Sequence, residues 1–403
     1  MQALHKSIVD RIDALAEVLL GVSHQIHARP ELAFHEFHAC ELLTRTLEQQ
    51  GLAAEKGVFT LETAFEAQIN PDSTGPTVAV LAEYDALPGI GHACGHNLIA
   101  TAALGAAIGL EAVSEQLPGR VRLIGTPAEE KGGGKELMAR AGAFDGVDAA
   151  MMIHPAGVNL ATMPCICVAE VEVTYHGRSA HASVSPHKGI NALDGLLLAY
   201  QAISNLRQHI RKDERIHGVI TEGGQAPNIV PDRASGDFYV RAADEEALAA
   251  LKPRVQACFE AGARGSGSEV EINWANVDYL DLNTNWPLAT AFQAHGESLG
   301  REFLDWQELG GAGSTDMGNV SHRVPSIHPM LAAAPRDVVI HNPEFARWAR
   351  SGMGDAAAID GAKLLAMTAS DFLLDGDLRD ASAQAFRIAK GLTGPSPSTT
   401  NQQ

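Results

Sequence analysis

The hydrophobic rhythm of the chain changes twice. At the start, Ile8, Ile12, Leu15 and Leu19 recur at helical spacing, and a second helical pattern over about 36–50 runs to Gly51, where a left-handed cap is expected. A continuous apolar run, Val78 to Ala82, then reads as a buried strand. It is followed by an Ala-rich helix over about 98–113, a strand at 120–125, a helix near 133–141 and a strand near 149–153. Strands alternating with helices imply a parallel sheet with helices on its faces.

After Cys167 the period drops to two. Val171, Val173 and Tyr175 alternate with Glu170, Glu172 and Thr174, the pattern of a strand with one wet face. A long helix at about 189–211, strands near 215–222 and 233–241, a helix near 245–263 and an alternating strand through Val270, Ile272 and Trp274 complete a ferredoxin-like split arrangement. From about 283 the helix and apolar-run pattern resumes. The expected fold class is therefore α/β: a mixed, largely parallel sheet domain flanked by helices, built from 1–168 and 283–390, with an inserted ferredoxin-like α+β domain at 169–282. The segment 391–403, rich in Pro, Ser, Thr and Gln, is expected to be a disordered tail.

Length and charge narrow the class. At 403 residues, two or three domains of enzyme size are expected. The formal net charge of -19 has the wrong sign for a phosphate-binding surface, which excludes nucleic acid as the expected partner. Charged residues interrupt the first twenty positions, and no run reaches membrane-spanning length, so neither a signal peptide nor a membrane span is expected. Five cysteines do not read as a disulfide framework, which fits a reducing cytoplasm, and Cys40, Cys165, Cys167 and Cys258 are expected to pack as small apolar groups.

The remaining cysteine lies in chemistry. Cys94 and His96, in the stretch Glu83–Asn97 after the strand at 78–82, supply a thiolate and an imidazole suited to zinc-like ions. Glu129–Glu130 and His154 follow the next two apolar runs, so three donor clusters stand at strand ends, as at a site above a parallel sheet. Two tetrahedral ions need about eight coordination positions. If Cys94 and a water each bridge both ions, His96, Glu130, His154 and His341 fill the remainder. Glu129, pointing differently from its neighbour, is then the general base that takes a proton from water and passes it to a leaving amine. Two other readings are open: a cysteine-nucleophile amidase using Cys94, and a non-catalytic small-molecule binding or regulatory protein.

The ordered motifs resemble the zinc-aminopeptidase-like dinuclear metallopeptidases, in the amidohydrolase branch of hippurate, indole-acetyl-amino-acid and aminobenzoyl-glutamate hydrolases and related dipeptidases. They include 27–32 with Glu36, Asp85–Pro88, His92–Asn97, Pro127–Glu130, Gly177–Ala182, Ala226–Pro231, Gly313–Gly318 and His341–Phe345. The short loop between Pro88 and His92, and Asn97 after His96, look like the aminobenzoyl-glutamate hydrolase subgroup. The resemblance implies Cys94, His96, Glu130, His154 and His341 as ligands to two divalent ions, Zn or Mn with Co or Ni as options. It also implies Glu129 as base and Asp85 as a carboxylate that orients the ligands. On the inserted domain, a lid and dimerisation module in this family, it implies His181 at the oxyanion and Asn228 at the substrate carboxylate. The last lid strand lacks an arginine used by some relatives, which leaves Arg178, Arg241 and Arg323 as spare carboxylate clamps. The implied activity is hydrolysis of the amide bond of N-acyl amino acids, aminobenzoyl-glutamate-like conjugates or dipeptides by a cytoplasmic homodimer, on small-molecule substrates with a free carboxylate.

Overall fold

A computed structural model describes residues 1–308 and 313–392. The expected tail lies outside the described residues from 393 onward. In chain order the elements begin with α1 (Gln2–Ala14), α2 (Ala16–Ala28), α3 (Phe37–Gln49), β1 (Ala54–Lys56), β2 (Phe65–Ile69) and β3 (Thr77–Ala82). Next come α4 (His96–Glu111), β4 (Arg120–Gly125), α5 (Gly134–Arg140), β5 (Ala149–Met151) and β6 (His154–Ala156). A middle stretch holds β7 (Cys167–His176), α6 (Ala192–Leu206), β8 (Arg215–Glu222), β9 (Arg233–Ala242), α7 (Glu245–Ser266) and β10 (Glu269–Trp274). The rest is α8 (Trp286–Ser298), α9 (Met317–Ser321), β11 (Ser326–Ile327), β12 (Met330–Ala332), α10 (Pro343–Trp348), α11 (Gly352–Leu374) and α12 (Gly376–Ala389).

Two compact units result. One takes its described residues from Met1–Pro164, Leu282–Ala312 and Asn319–Gln403, the other from Cys165–Asp281 and Gly313–Gly318. The last segment departs from the boundary expected at 283. Its backbone explains the difference: the Gly313 carbonyl accepts from Ile166 N–H at 3.0 Å, and Ser314 Oγ donates to the Ile166 carbonyl at 2.6 Å.

In the first unit the described residues form a six-stranded sheet in the order β1-β2-β4-β3-β5-β11. β3 pairs in parallel with β4 and β5, and β5 with β11, while β2 runs antiparallel to β4 and β1 to β2. All six residues of β3 are buried, as its uninterrupted apolar run requires. Strands β1 and β2 lie outside the predicted pattern: β2 does alternate buried and half-buried positions, but over only five residues, and three-residue β1 offers no period. The helical pattern at Ile8–Leu19 holds, but it is two helices: Leu15, at φ -108 and ψ 7, leaves the helical region between them.

α4 is the centre of this unit, with every residue from His96 to Leu110 buried. Gly105 lets it approach its neighbours, since a Cβ there would lie 2.8 Å from Ala362 of α11 and 3.0 Å from Leu19 of α2. On the outer side, Asp371 of α11 accepts from Nε2 of His5 in α1 at 2.8 Å and from Nε2 of His295 in α8 at 2.7 Å. Burial raises the Asp371 pKa, but the two histidine bonds outweigh it and hold it at about 2, below the usual 3.8. A carboxylate with a lowered folded pKa stabilises above its unfolded pKa and loses that contribution as pH falls through the folded one. Asp371→Asn should therefore cost about 1.5–3 kcal/mol at neutral pH in urea unfolding of the metal-free protein. That deficit should shrink between pH of about 4 and about 2; a deficit constant with pH would refute the assignment.

The second unit is a four-stranded antiparallel sheet in the order β10-β7-β9-β8, with α6 and α7 packed on one face. Cys167, Ala169, Val171, Val173 and Tyr175 of β7 meet Leu196, Ala199 and Ile203 of α6 and Leu248, Leu251, Val255 and Phe259 of α7 in its core. This is the predicted split arrangement. β8 is an edge strand carrying the exposed side chains of Val219 and Ile220. Among the described residues no helix is long and apolar enough to cross a membrane.

Candidate metal centre

The carboxyl ends of β3, β4 and β5 each deliver polar groups to one buried place in the first unit. β3 is followed by Glu83, Tyr84 and Asp85, all buried, after which the chain turns through Cys94 into α4. Gly95 makes that entry possible, because it sits at φ 78 and a Cβ there would come within 2.8 Å of Pro155. Cys94 and His96 flank it. His96 Nδ1–H donates to Asp85 Oδ1 at 3.0 Å, which leaves Nε2 as the free nitrogen. Asp85 Oδ2 accepts from the Glu130 amide at 2.9 Å, so one carboxylate fixes groups from two strand ends.

Glu130 and Glu129 follow β4 through Ala128, whose φ of 62 is left-handed. Its amide donates to Glu36 Oε1 at 2.9 Å, while Thr63 Oγ1 holds the other Glu36 oxygen at 2.8 Å. Burial, reinforced by the Asp85 charge, raises the Glu36 carboxyl to about 7. His154 opens β6 directly after β5; its Nδ1–H donates to the Pro155 carbonyl at 2.8 Å and its Nε2 lies 3.4 Å from Cys94 Sγ. His341 arrives from a loop beyond β12, and the apolar run before it, 338–340, forms no strand. It has φ 60, donates its amide to the Ala93 carbonyl at 2.8 Å and places Nε2 3.4 Å from Glu130 Oε2. Non-glycine residues held in the left-handed region on both sides of the cluster are strain of the kind found at functional sites.

The donor atoms fall into three sets, each lying within 4.8 Å: Cys94, His96 and His154; Cys94, Glu130 and His341; and Glu83, His96 and Glu129. Cys94 belongs to the first two. Burial drives the Cys94 thiol well above its ordinary range, with Glu130 adding to it, and lowers His154 to about 4 so that its imidazole is neutral at pH 7. For His96 burial works in the same lowering direction, but Cys94 and Asp85 outweigh it and hold the ring well above the ordinary value. Glu83 Oε2, His96 Nε2 and Glu130 Oε1 are buried with no hydrogen-bond partner.

The sequence pattern of peptidase family M20/M25/M40 matches residues 79–347, and an Xaa-Arg dipeptidase of Mus musculus is 39% identical over 401 residues, covering 96% of this chain and 93% of that protein. The chain belongs to peptidase family M20. Within this metallopeptidase family it is also similar to one subunit of the p-aminobenzoyl-glutamate hydrolase of Escherichia coli (strain K12), at 35% identity over 310 residues, 70% of this chain and 63% of that one. A dinuclear metal binding M20 peptidase of Bacillus subtilis superposes with a TM-score of 0.66 at 23% identity, covering 89% of this chain and 99% of that one, and shares its fold.

The M20 chain's donors suit divalent ions. Two atoms bound to one tetrahedral ion at about 2.1 Å stand roughly 3.4 Å apart. That is the separation of Cys94 Sγ from His154 Nε2 and of His341 Nε2 from Glu130 Oε2. A cation would also satisfy the unpartnered atoms, which otherwise cost free energy in a dry interior. Thus the structure brings Asp85, Cys94, His96, Glu129, Glu130, His154 and His341 together.

His181 and Asn228 belong to the second unit and lie on neighbouring segments: Ala182 N–H donates to the Asn228 carbonyl at 3.0 Å. His181 is exposed, and its Nδ1 accepts from the amides of Ser183 at 3.4 Å and Val184 at 3.3 Å, which puts the ring proton on Nε2. Of the spare arginines, Arg323 is taken up by Glu136 at 2.6 and 3.0 Å, Arg241 donates to Ser314 Oγ at 2.8 Å and Arg178 to the Lys188 carbonyl at 2.7 Å.

Sequence reasoning gave no role to Glu83, Lys135 or His328. Glu83 was legible as a carboxylate closing a fully buried strand. Lys135, in the first turn of α5, carries no such signal, yet it is fully buried and its Nζ bonds Glu83 Oε1. His328 is fully buried with its ring 5.4 Å from that of His154.

Proposed function

We propose that this M20 enzyme is a two-metal dipeptidase-type amidohydrolase. The observation that carries the reading is that Cys94 is shared by two donor sets, one completed by His96 and His154 and the other by Glu130 and His341. These five residues would hold two divalent ions, zinc or manganese before cobalt or nickel, with Cys94 common to both. Such ions, when bound, acidify water and polarise the scissile carbonyl. The residues do the rest. Glu129 Oε2 stands 3.8 Å from His96 Nε2 and is placed to hold the proton taken from water and return it to the departing amine. Asp85 orients His96 and Glu130 together.

Asp85→Asn should lower metal affinity by about 10- to 100-fold in metal titrations. An amide cannot accept on both sides, so its NH2 would face either His96 Nδ1–H or the Glu130 amide. Unchanged affinity would remove Asp85 from this role.

On the lid, 169–282, His181 with its proton on Nε2 is assigned to the developing oxyanion and Asn228 to the substrate carboxylate. The exposed edge strand β8 supports a homodimer formed through the lid. The free thiols of Cys40, Cys94, Cys167 and Cys258 fit a reducing cytoplasm.

Likeness to Xaa-Arg dipeptidases over nearly the whole chain favours dipeptides with a C-terminal arginine over N-acyl amino acids and aminobenzoyl-glutamate. A net charge of -19 supports attraction of such a cation. The test is elemental analysis beside a hydrolysis screen of Xaa-Arg and Xaa-Lys dipeptides, aminobenzoyl-glutamate and N-acyl amino acids. Two ions per chain and chelator-sensitive release of arginine are expected; full turnover in a metal-stripped sample would defeat the proposal.

A further inference from the structure

We infer that Glu83 is a further metal-holding residue of the centre, and that Lys135 is the buried counter-charge that fixes it there. The inference rests on the two-metal reading above and adds a ligand to it. Glu83 and Lys135 are both fully buried side chains, and Lys135 Nζ bonds only one of the two carboxylate oxygens, Oε1. The other oxygen, Oε2, is buried without a hydrogen-bond partner, and it lies 3.4 Å from His96 Nε2, which is buried and unpartnered too. His96 spends its Nδ1–H on Asp85. With the ring neutral, the state in which an imidazole can bind a metal, two electron-rich atoms face one another with no hydrogen bond between them.

Lone pairs arranged so repel, and both atoms are buried from solvent. A cation between them removes both costs. Their 3.4 Å separation equals those of the Cys94–His154 and Glu130–His341 pairs. Glu129, the base, stands beside the same pair, its Oε2 3.8 Å from His96 Nε2. Lys135 would hold one oxygen of the added carboxylate and so keep the second turned toward His96. A carboxylate kept only as the partner of a lysine would have no need to present its free oxygen to an imidazole lone pair.

The consequence is that the two ions are held unequally. The ion at His96 gains a buried anionic ligand, whereas the other depends on His341, whose side chain is 53% exposed.

The test uses the wild-type enzyme loaded with Mn2+ and anomalous diffraction at the manganese edge. The expected result is an ion within about 2.5 Å of Glu83 Oε2. Ions present at Cys94, His154, Glu130 and His341 but both beyond about 3.5 Å from that oxygen would overturn this inference and leave the two-metal reading intact. No ions at those residues would sink both. In solution, Mn2+ titration of Glu83→Gln should raise one of two dissociation constants at least tenfold and leave the other near wild type; two unchanged constants would overturn the assignment. If that variant fails to fold, Glu83→Gln with Lys135→Met removes both buried charges together, and the same titration decides.

Discussion

Glu129→Gln is expected to purify with its full metal complement and to turn over substrate about 10²- to 10⁴-fold more slowly, with little change in KM. The amide keeps the shape of the carboxylate but cannot take a proton. Glu129 is not in either donor set built on Cys94, so metal content should survive the change. The measurement is kcat alongside elemental analysis of the same sample. Near-normal kcat would remove Glu129 as the base, and loss of metal would make it a ligand instead.

Cys94→Ala should have the opposite signature. One side chain serves both sets, so its removal should weaken both ions by more than the 10- to 100-fold typical of outer-shell partners, and activity should vanish with the metal. Dialysis against metal-free buffer followed by elemental analysis separates this from the cysteine-nucleophile reading, under which wild-type activity would resist chelation and the variant would lose activity with no change in metal content. The surroundings already disfavour a nucleophile. Cys94 is buried, burial and Glu130 push its thiol up, and a thiolate would stand beside carboxylates without a cation.

Much of the centre was legible because the fold advertises it. Cys94, Glu130 and His154 each follow an apolar run, and in a parallel sheet the carboxyl ends of adjacent strands lie side by side. Spacing alone thus placed three clusters together. His341 was harder: its apolar run is loop, and a backbone hydrogen bond to Ala93, far away in sequence, fixes it. Glu83 and Lys135 were missed for a different reason. A lysine opening a helix after three glycines reads as solvated, and nothing local says that α5 is pressed inward. Burial of that kind is a property of the packed molecule. The same limit hid the break at Leu15, since two helices that share one apolar face give one uninterrupted pattern.

The discontinuous make-up of the first unit sets the order in which the protein can mature. α4 is buried along nearly its whole length, and part of what covers it is α11, which leaves the ribosome only after the entire middle stretch has been made. The second unit, almost all of it one continuous piece, has its own apolar core to condense around while the nascent chain is still tethered. The first half of the larger unit must wait with an Ala-rich helix face uncovered, so the part synthesised first is completed last, and that interval is when chaperones have most to protect.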